Sequence, residues 1–246
     1  MFQQNISASN SLRKEGTTLE WNPFTNSAQI LGKTRSIRSS IFFNQGTQYK
    51  WSSNFIYNQQ ESQTYVYTGS EYRDSDSYLL QARYKILQNL IASLDTEYMV
   101  INSDSELFLS RRYKLNNLRL SPKMTYQTEK NLVASLFYNY QNKKNVSGEE
   151  QLNQSDLGTE IQWNGSDKMS LLGSFSFINN KFIGNQESVV GNQMMEGLRA
   201  GNNFVWQLQI QRQITSFLQL NISYDGRKTE ENKPIHTGSV QVQARF

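Results

Sequence analysis

The residues of this sequence that could carry catalytic chemistry are few. His236 is the only histidine, and there is no cysteine. A hydrolase that uses a Ser–His pair would need a serine in contact with His236, and Ser239 follows three residues later. On an extended strand, residues three apart point to opposite faces. We therefore expect His236 to be a surface imidazole rather than a general base.

Metal, cofactor and nucleic-acid sites are equally poorly supported. The sequence has no His or carboxylate pair at ligand spacing, no Gly-rich phosphate loop and no recognisable nucleophile motif. Its net charge of +4 is small for 246 residues, and the basic residues are dispersed, which disfavours nucleic acid as a partner. The sequence predicts neither an enzyme nor a bound cofactor.

Apolar and polar residues instead alternate along the sequence with a period of two. In LQLNISYD, residues 218–225, Leu, Leu, Ile and Tyr alternate with Gln, Asn, Ser and Asp. The chain ends in the same way, because Val240, Val242, Ala244 and Phe246 alternate with polar residues. Such alternation predicts strands with one apolar and one polar face.

This alternation recurs in twelve segments, each near the ~9–11 residues that a tilted strand needs to cross a bilayer. The predicted strands are 17–23, 36–44, 48–58, 77–86, 89–101, 115–128, 131–141, 156–164, 168–178, 203–212, 217–225 and 237–246. On this segmentation the apolar face carries no charge, which indicates contact with lipid. The charged residues lie on the opposite face, which is predicted to line a lumen: Glu20, Arg38, Lys50, Arg83, Lys85, Asp95, Glu97, Arg119, Lys123, Glu160, Asp225 and Arg245.

The connections between these segments alternate in length. Short turns at 44–48, 86–89, 128–131, 164–168 and 214–217 are separated by longer polar links at 24–35, 59–76, 102–114, 142–155, 179–202 and 226–236. Aromatic residues lie near both ends of the apolar face, as at membrane interfaces. We therefore expect an all-β fold, an antiparallel up-and-down transmembrane β-barrel in an outer membrane, with about twelve strands and fourteen as the alternative count. A soluble β-sandwich or solenoid with aromatic-rich faces is the alternative.

The C-terminal region also resembles a known group of proteins. The segment from NQMMEGLRAGNNF to VQVQARF, with TRSIRSSIFFNQ and SFSFINNKFIGN, is similar to the C-terminal barrel region of large outer-membrane proteins of Bacteroidota. This resemblance implies an outer-membrane location and a barrel fold. The last strand, with Val240, Val242, Ala244 and Phe246, resembles the signal that such proteins present to the barrel assembly machinery, which is therefore an expected partner together with the lipid bilayer.

The predicted inner face gives the only information on function. Its charges are mixed, seven basic and five acidic, a composition that favours pairing across a narrow lumen over ion selectivity. Six apolar residues also face inward, so we expect the link 179–202, a plug or a partner protein to cover them: Ile91, Met99, Val133, Phe137, Leu172 and Ile178. The sequence thus favours a transport or pore protein with a partly closed polar lumen. The alternative is a structural or assembly component, in which the barrel is an anchor and loops or upstream domains bind partners.

Two local questions stay open in the sequence. Residues 1–16 alternate only weakly, so we expect them to lie in the periplasm or the lumen, with the barrel at 17–246; an extra strand is the alternative. Pro122 falls inside a predicted strand, where it removes one hydrogen bond of the ladder. It predicts either a bulge or kink, or an earlier end of that strand.

Overall fold

The protein is a single antiparallel sheet in a computed structural model, which describes residues 2–14, 28–46, 48–66, 69–129, 131–165, 168–230 and 232–244. Twelve strands follow one another in the order of the sequence, so the topology is up-and-down. They are β1 (Phe2–Lys14), β2 (Ala28–Phe43), β3 (Trp51–Val66), β4 (Gly69–Lys85), β5 (Leu90–Ser105), β6 (Tyr113–Gln127), β7 (Leu132–Asn145), β8 (Gln151–Gly165), β9 (Met169–Ile183), β10 (Gly201–Gln213), β11 (Leu218–Thr229) and β12 (Ile235–Ala244). A single turn of 3-10 helix at Leu109–Arg111 and helix α1 (Val189–Met195) lie between strands.

The predicted all-β, twelve-stranded fold is confirmed, but the strands are longer than the alternation indicated. The short turns form one rim, here called the inner rim, and the strands extend farther at the opposite, outer rim. The predicted links 59–76 and 142–155 are wrong, since β3 pairs with β4 up to Val66 opposite Gly69, and β7 and β8 are separated only by 146–150. Beyond the apolar band both faces are polar, so backbone pairing continues there without alternation.

The N-terminal segment is part of the sheet. Residues 2–14 form β1 and pair with β2, with Gln3 opposite Ser40 and Ser9 opposite Thr34. This favours the extra strand over the expected periplasmic or luminal position. The hydroxyls of Ser7 and Ser36 lie 2.6 Å apart, so small polar side chains hold this pair where apolar alternation is weak. The predicted strand 17–23, including Glu20, lies outside the described residues.

The register sorts the side chains into two faces, which we call the apolar face and the polar face. Large side chains on the apolar face remain exposed: Leu136 is 51%, Leu157 49% and Val240 69% accessible. A contiguous exposed surface of this kind marks a membrane or protein interface. In the part of the chain that the structure describes, no helix is long and apolar enough to span a membrane.

The sheet is not closed, since no described pairing joins β1 to β12. These two edge strands run in opposite directions because the number of strands is even. A sheet with open edges is unfavourable in lipid, where unpaired backbone groups have no water to bond. The opposite directions of β1 and β12 are therefore compatible with closure of the barrel by antiparallel pairing of these two strands.

Two sequence expectations about individual strands need correction. Pro122 neither ends β6 nor introduces a bulge: β6 runs to Gln127, and its pairing with β7 skips Ser121 and Pro122 without a change of register. The apolar face is not free of charge, since Arg212 lies opposite Met169 and Leu220 on that face, near the inner rim. An arginine at this depth can extend toward the membrane interface.

Candidate functional site: the polar face and its covering loop

The structure places nine of the predicted lumen residues on the polar face. Their positions follow from the strand registers, and they are Arg38 on β2, Arg83 and Lys85 on β4, Asp95 and Glu97 on β5, Arg119 and Lys123 on β6, Glu160 on β8 and Asp225 on β11. Lys50 precedes β3, at the inner rim, and its Nζ lies 5.4 Å from the ring centroid of Tyr84, an apolar-face residue. Its predicted place on a strand is therefore wrong. Glu20 and Arg245 lie outside the described residues.

Several of these charges are paired across strands. The guanidinium of Arg119 lies 2.7 Å from Glu97 on the adjacent strand, and Lys123 Nζ lies 2.8 Å from Glu160. The second pair bridges from β6 to β8 and so passes over β7. Asp95 is not in a described ion pair but accepts a hydrogen bond of 3.2 Å from Gln81 Nε2. Arg119 and Lys123 are thus neutralised by carboxylates within this half of the face. The side chains of the second pair are about 40% exposed, so this pair adds little stability.

The other half of the polar face is almost uncharged. On β9, β10 and β12 the described polar-face residues include no Asp, Glu, Lys or Arg. Near the inner rim a cavity of about 610 Å³ is lined mainly by amide and hydroxyl side chains, among them Gln209, Gln219 and Ser239, together with four leucine and isoleucine residues and the charged Glu160. Amides and hydroxyls both donate and accept hydrogen bonds. This surface can therefore hold water or a neutral polar solute.

At the outer rim the polar face is covered by residues 184–200, which we call the covering loop. Its helix α1 begins at the N-cap Ser188, whose Oγ accepts a hydrogen bond of 2.9 Å from Gly191 N. Val190, Met194 and Met195 are buried against the sheet. They pack on polar-face residues of β5, β6, β8 and β9, which are Ile101, Tyr113, Leu115, Leu152 and Phe182. Burial of each such side chain stabilises the docked loop by roughly 1.5–3 kcal/mol.

Polar contacts fix the C-terminal half of the covering loop to the sheet. Lys143 on β7 is 8% exposed, and its Nζ donates to Met194 O at 2.8 Å and to Glu196 Oε1 at 2.6 Å. A cation at the carboxyl end of a helix also interacts favourably with the helix dipole. Farther along, Arg199 O accepts hydrogen bonds from the side-chain amides of Asn180 at 3.1 Å and Asn203 at 2.9 Å. The loop is therefore an ordered part of the polar face.

The apolar residues predicted to face inward are on the polar face, but the covering loop buries a different group. The sequence pointed to Ile91, Met99, Val133, Phe137, Leu172 and Ile178, whereas the loop covers Ile101, Tyr113, Leu115, Leu152 and Phe182, nearer the outer rim. Phe137 has another partner, since its ring lies over Gly158 so closely that a Cβ at this glycine would overlap it. The link 179–202 was one of three expected covers, and it folds onto the polar face but packs on residues other than the six.

His236 and the last strand lie as the alternation indicated. The His236 imidazole is on the apolar face, stacked on Tyr224, whose hydroxyl is 2.8 Å from Nδ1. Ser239 is on the opposite face, 2.7 Å from the Ser223 hydroxyl, so the Ser–His contact of a hydrolase is not made. Val240 and Val242 are exposed on the apolar face with Ala244; Phe246 lies outside the described residues.

Sequence reasoning missed several charged residues of the polar face, among them Lys143 and Asp156. Lys143, the anchor of the covering loop, falls in a segment that was predicted to be a polar link. Asp156 on β8 accepts a hydrogen bond of 3.0 Å from Asn139 on the polar face. It shares the parity of Glu160 and could have been found from that spacing. Among the described residues no group of three or more His, Asp or Glu could hold a metal ion.

Comparisons with known proteins provide structural likenesses only. No family model matches the chain, and no curated protein matches it. The CdiB structure from Acinetobacter baumannii aligns with 99% of this chain at 12% identity and a TM-score of 0.51, and the chain spans about half, 51%, of that protein. A loop-deleted OmpT, an outer-membrane protein of Vibrio cholerae, aligns over 99% of this chain and 97% of its own at 7% identity and a TM-score of 0.49. The NanC porin aligns over 87% and 94% at 10% identity and a TM-score of 0.41.

These observations agree on the fold. The CdiB likeness, the up-and-down order of twelve strands, and an exposed apolar face with aromatic residues near both rims are those of an outer-membrane β-barrel protein. Since such antiparallel barrels belong to outer membranes, this is where the protein resides. The family within this fold is not given by any comparison.

Proposed function

We propose that the protein is a transport or pore-forming barrel whose polar lumen is narrowed at its outer end by the covering loop. The proposal includes closure of the sheet through β1 and β12, which gives the polar face a lumen to line. Twelve strands lie between the filled interior of about eight and the open channel of about sixteen. A loop folded onto the inner wall would then control the free cross-section.

The observation that supports this proposal best is the burial of Met194, which is 0% exposed, against the polar face. A loop that served only as an extracellular epitope would not need an apolar contact inside the barrel and a buried lysine as its tether. Below the loop, the cavity of about 610 Å³ and the uncharged surface of β9, β10 and β12 provide a hydrated path. In the proposed barrel the covering loop restricts the outer end, and the polar inner end gives access to the lumen.

The alternative is a structural or assembly component in which the barrel is an anchor. The pairs Arg119–Glu97 and Lys123–Glu160 favour it, because charges that bond to each other across the face fill space and carry no solute. In that case the outer ends of the strands, rather than the lumen, would bind a partner. The two functions differ in whether ions pass through the protein.

The test is conductance in planar bilayers of the refolded full chain and of a variant in which residues 186–198 are replaced by a short Gly-Ser link. We expect small unitary currents from the wild type and currents several-fold larger from the variant. A matched control replaces residues 147–149 of the β7–β8 connection, which contributes no residue to the buried cluster. This control should leave the current unchanged.

The anchor function would be supported if neither protein conducts while both show the heat-resistant migration of a folded barrel. Equal currents from the wild type and the loop variant would show a pore that the covering loop does not restrict. Either result contradicts the proposal.

A further inference from the structure

Four lysines on strands between β6 and β11 lie on the apolar face at the outer rim and are exposed. They are Lys114 on β6, Lys144 on β7, Lys181 on β9 and Lys228 on β11, and we call them the basic arc. Their face is given by the register, for example by Lys228 opposite Phe204. A charged side chain on this face would meet the membrane rather than the lumen. An anion at the membrane is therefore the expected partner of the basic arc.

The position of the basic arc along the membrane normal brings its lysines close to the lipid headgroups. Lys144, Lys181 and Lys228 each follow an apolar-face aromatic by four positions, namely Tyr140, Phe177 and Tyr224. Four residues of a strand are about 13 Å, or about 10 Å along the membrane normal at a tilt of about 40°. Rings of this kind lie at the membrane interface. The lysines are then just above it, and their flexible chains can reach the headgroups.

The basic arc has no partner within the described chain, unlike the carboxylates at the same rim. None of the four ammonium groups makes a side-chain hydrogen bond or an ion pair with a described residue. On β3 to β5 the apolar face carries carboxylates that do have partners: Glu61 with Gln59, Asp74 with Asn102, Asp76 with Tyr57 and Asp104 with Arg112. Two carboxylates at the ends of the neighbouring strands are also bonded, Glu150 to Asn145 Nδ2 and Glu230 to Asn202 N. Hydrogen bonds to neutral groups leave most of these carboxylates charged, so the apolar face at the outer rim is acidic on β3 to β5 and basic on β6 to β11. Lys33 and Arg35 on β2 are further exposed basic residues of this face.

We propose that the basic arc binds the phosphate groups of the outer-leaflet glycolipid, lipid A, along the β6 to β11 side of the barrel. The lysines and the lipid phosphates carry opposite charges. They also lie at the same level along the membrane normal, because the phosphates are at the interface that the ammonium groups reach. Each lysine near an anionic lipid surface contributes about 1 kcal/mol, or about a fivefold gain in affinity. The side at β3 to β5, with its acidic residues, repels the same lipid. This inference is independent of whether the lumen conducts.

The test titrates bis-phosphorylated lipid A into the refolded full chain in uncharged maltoside micelles and counts bound lipid by native mass spectrometry. Lys144→Gln with Lys181→Gln should weaken binding about 25-fold at low salt. The inner-rim pair Lys50→Gln with Lys168→Gln removes the same charge and should change binding less than twofold. Lys144→Arg with Lys181→Arg should keep most of the affinity, which separates loss of charge from loss of fold.

Four results would overturn the proposal. Equal weakening by the outer and inner pairs would show attraction by net charge without a site. Equal binding of dephosphorylated lipid A to the wild type would show that the lipid phosphates are not the ligand. Displacement of lipid A by millimolar inorganic phosphate would show a site for free phosphate rather than for the lipid. A dimer in sedimentation that the Gln variants dissociate, without lipid binding, would identify a second copy of the chain as the partner of the basic arc.

Discussion

Substitution of Met194 by alanine should release the covering loop from the polar face without unfolding the sheet. Met194 is 0% exposed in the cluster that joins α1 to β6 and β8. Truncation of a fully buried methionine costs about 2–5 kcal/mol, and this side chain packs between the loop and the sheet. The cost therefore falls on docking of the loop, and a change of about 2 kcal/mol alone raises the undocked fraction about 30-fold.

Amide hydrogen exchange of the refolded protein measures this release. Asn192 N donates to Ser188 O at 3.0 Å and Leu198 N to Met195 O at 3.0 Å, so both amides should lose protection by about 30-fold or more, while β6 and β7 keep theirs. Val189→Ala is the matched control on the same helix, since Val189 is 48% exposed and its truncation should cost less than about 0.5 kcal/mol. Unchanged protection of α1 in Met194→Ala, or an equal loss throughout the strands, would refute the reasoning.

Three further outcomes follow from the assignment of faces. Leu208→Arg, on the apolar face near the middle of β10, should destabilise the inserted barrel by about 2–4 kcal/mol in refolding titrations from vesicles. Gln209→Arg, on the polar face, should cost little, and equal losses would contradict the assignment of faces. Lys123→Gln leaves Glu160 unpaired and should shift the reversal potential of any pore in a KCl gradient toward cation selectivity, and an unchanged potential would place this pair away from the ion path. Removal of Phe246 should impair assembly in cells far more than refolding in detergent, and normal outer-membrane levels of the truncated protein would contradict this.

Alternation in the sequence was sufficient for the fold within the apolar band and not beyond it. Segments such as LQLNISYD alternate because one face meets lipid, so the strand and its faces are both visible in the sequence. Above that band Gln59, Glu61 and Gln63 are polar whichever face they occupy, and the extension of β3 could only be found from its pairing with β4. The same reason explains why the sequence predicts β1 outside the sheet, since Gln4 is polar although it shares the face of Ile6.

The covering loop illustrates what sequence reasoning cannot reach. Sequence reasoning offers this loop as one of three possible covers of the polar face, beside a plug and a partner. Its contacts depend on strand extension, since Tyr113 and Leu115 belong to the part of β6 that lies near the outer rim. The pairing of Lys143 with Glu196 joins residues that are 53 positions apart, and only the register of β7 within the sheet determines that the lysine points at the loop.

The most direct test of a two-faced barrel with a hydrated lumen is single-cysteine labelling along β10, because the chain contains no cysteine of its own. Cysteines would replace, one at a time, Gln207, Gln209 and Gln211 on the polar face and Trp206, Leu208 and Ile210 on the apolar face. In reconstituted vesicles we predict that a water-soluble thiol reagent modifies the first three positions, and that the other three react only with a bilayer-soluble maleimide. Labelling that does not alternate would contradict the assignment of faces, and polar-face cysteines that fail to react with the water-soluble reagent would contradict a hydrated lumen.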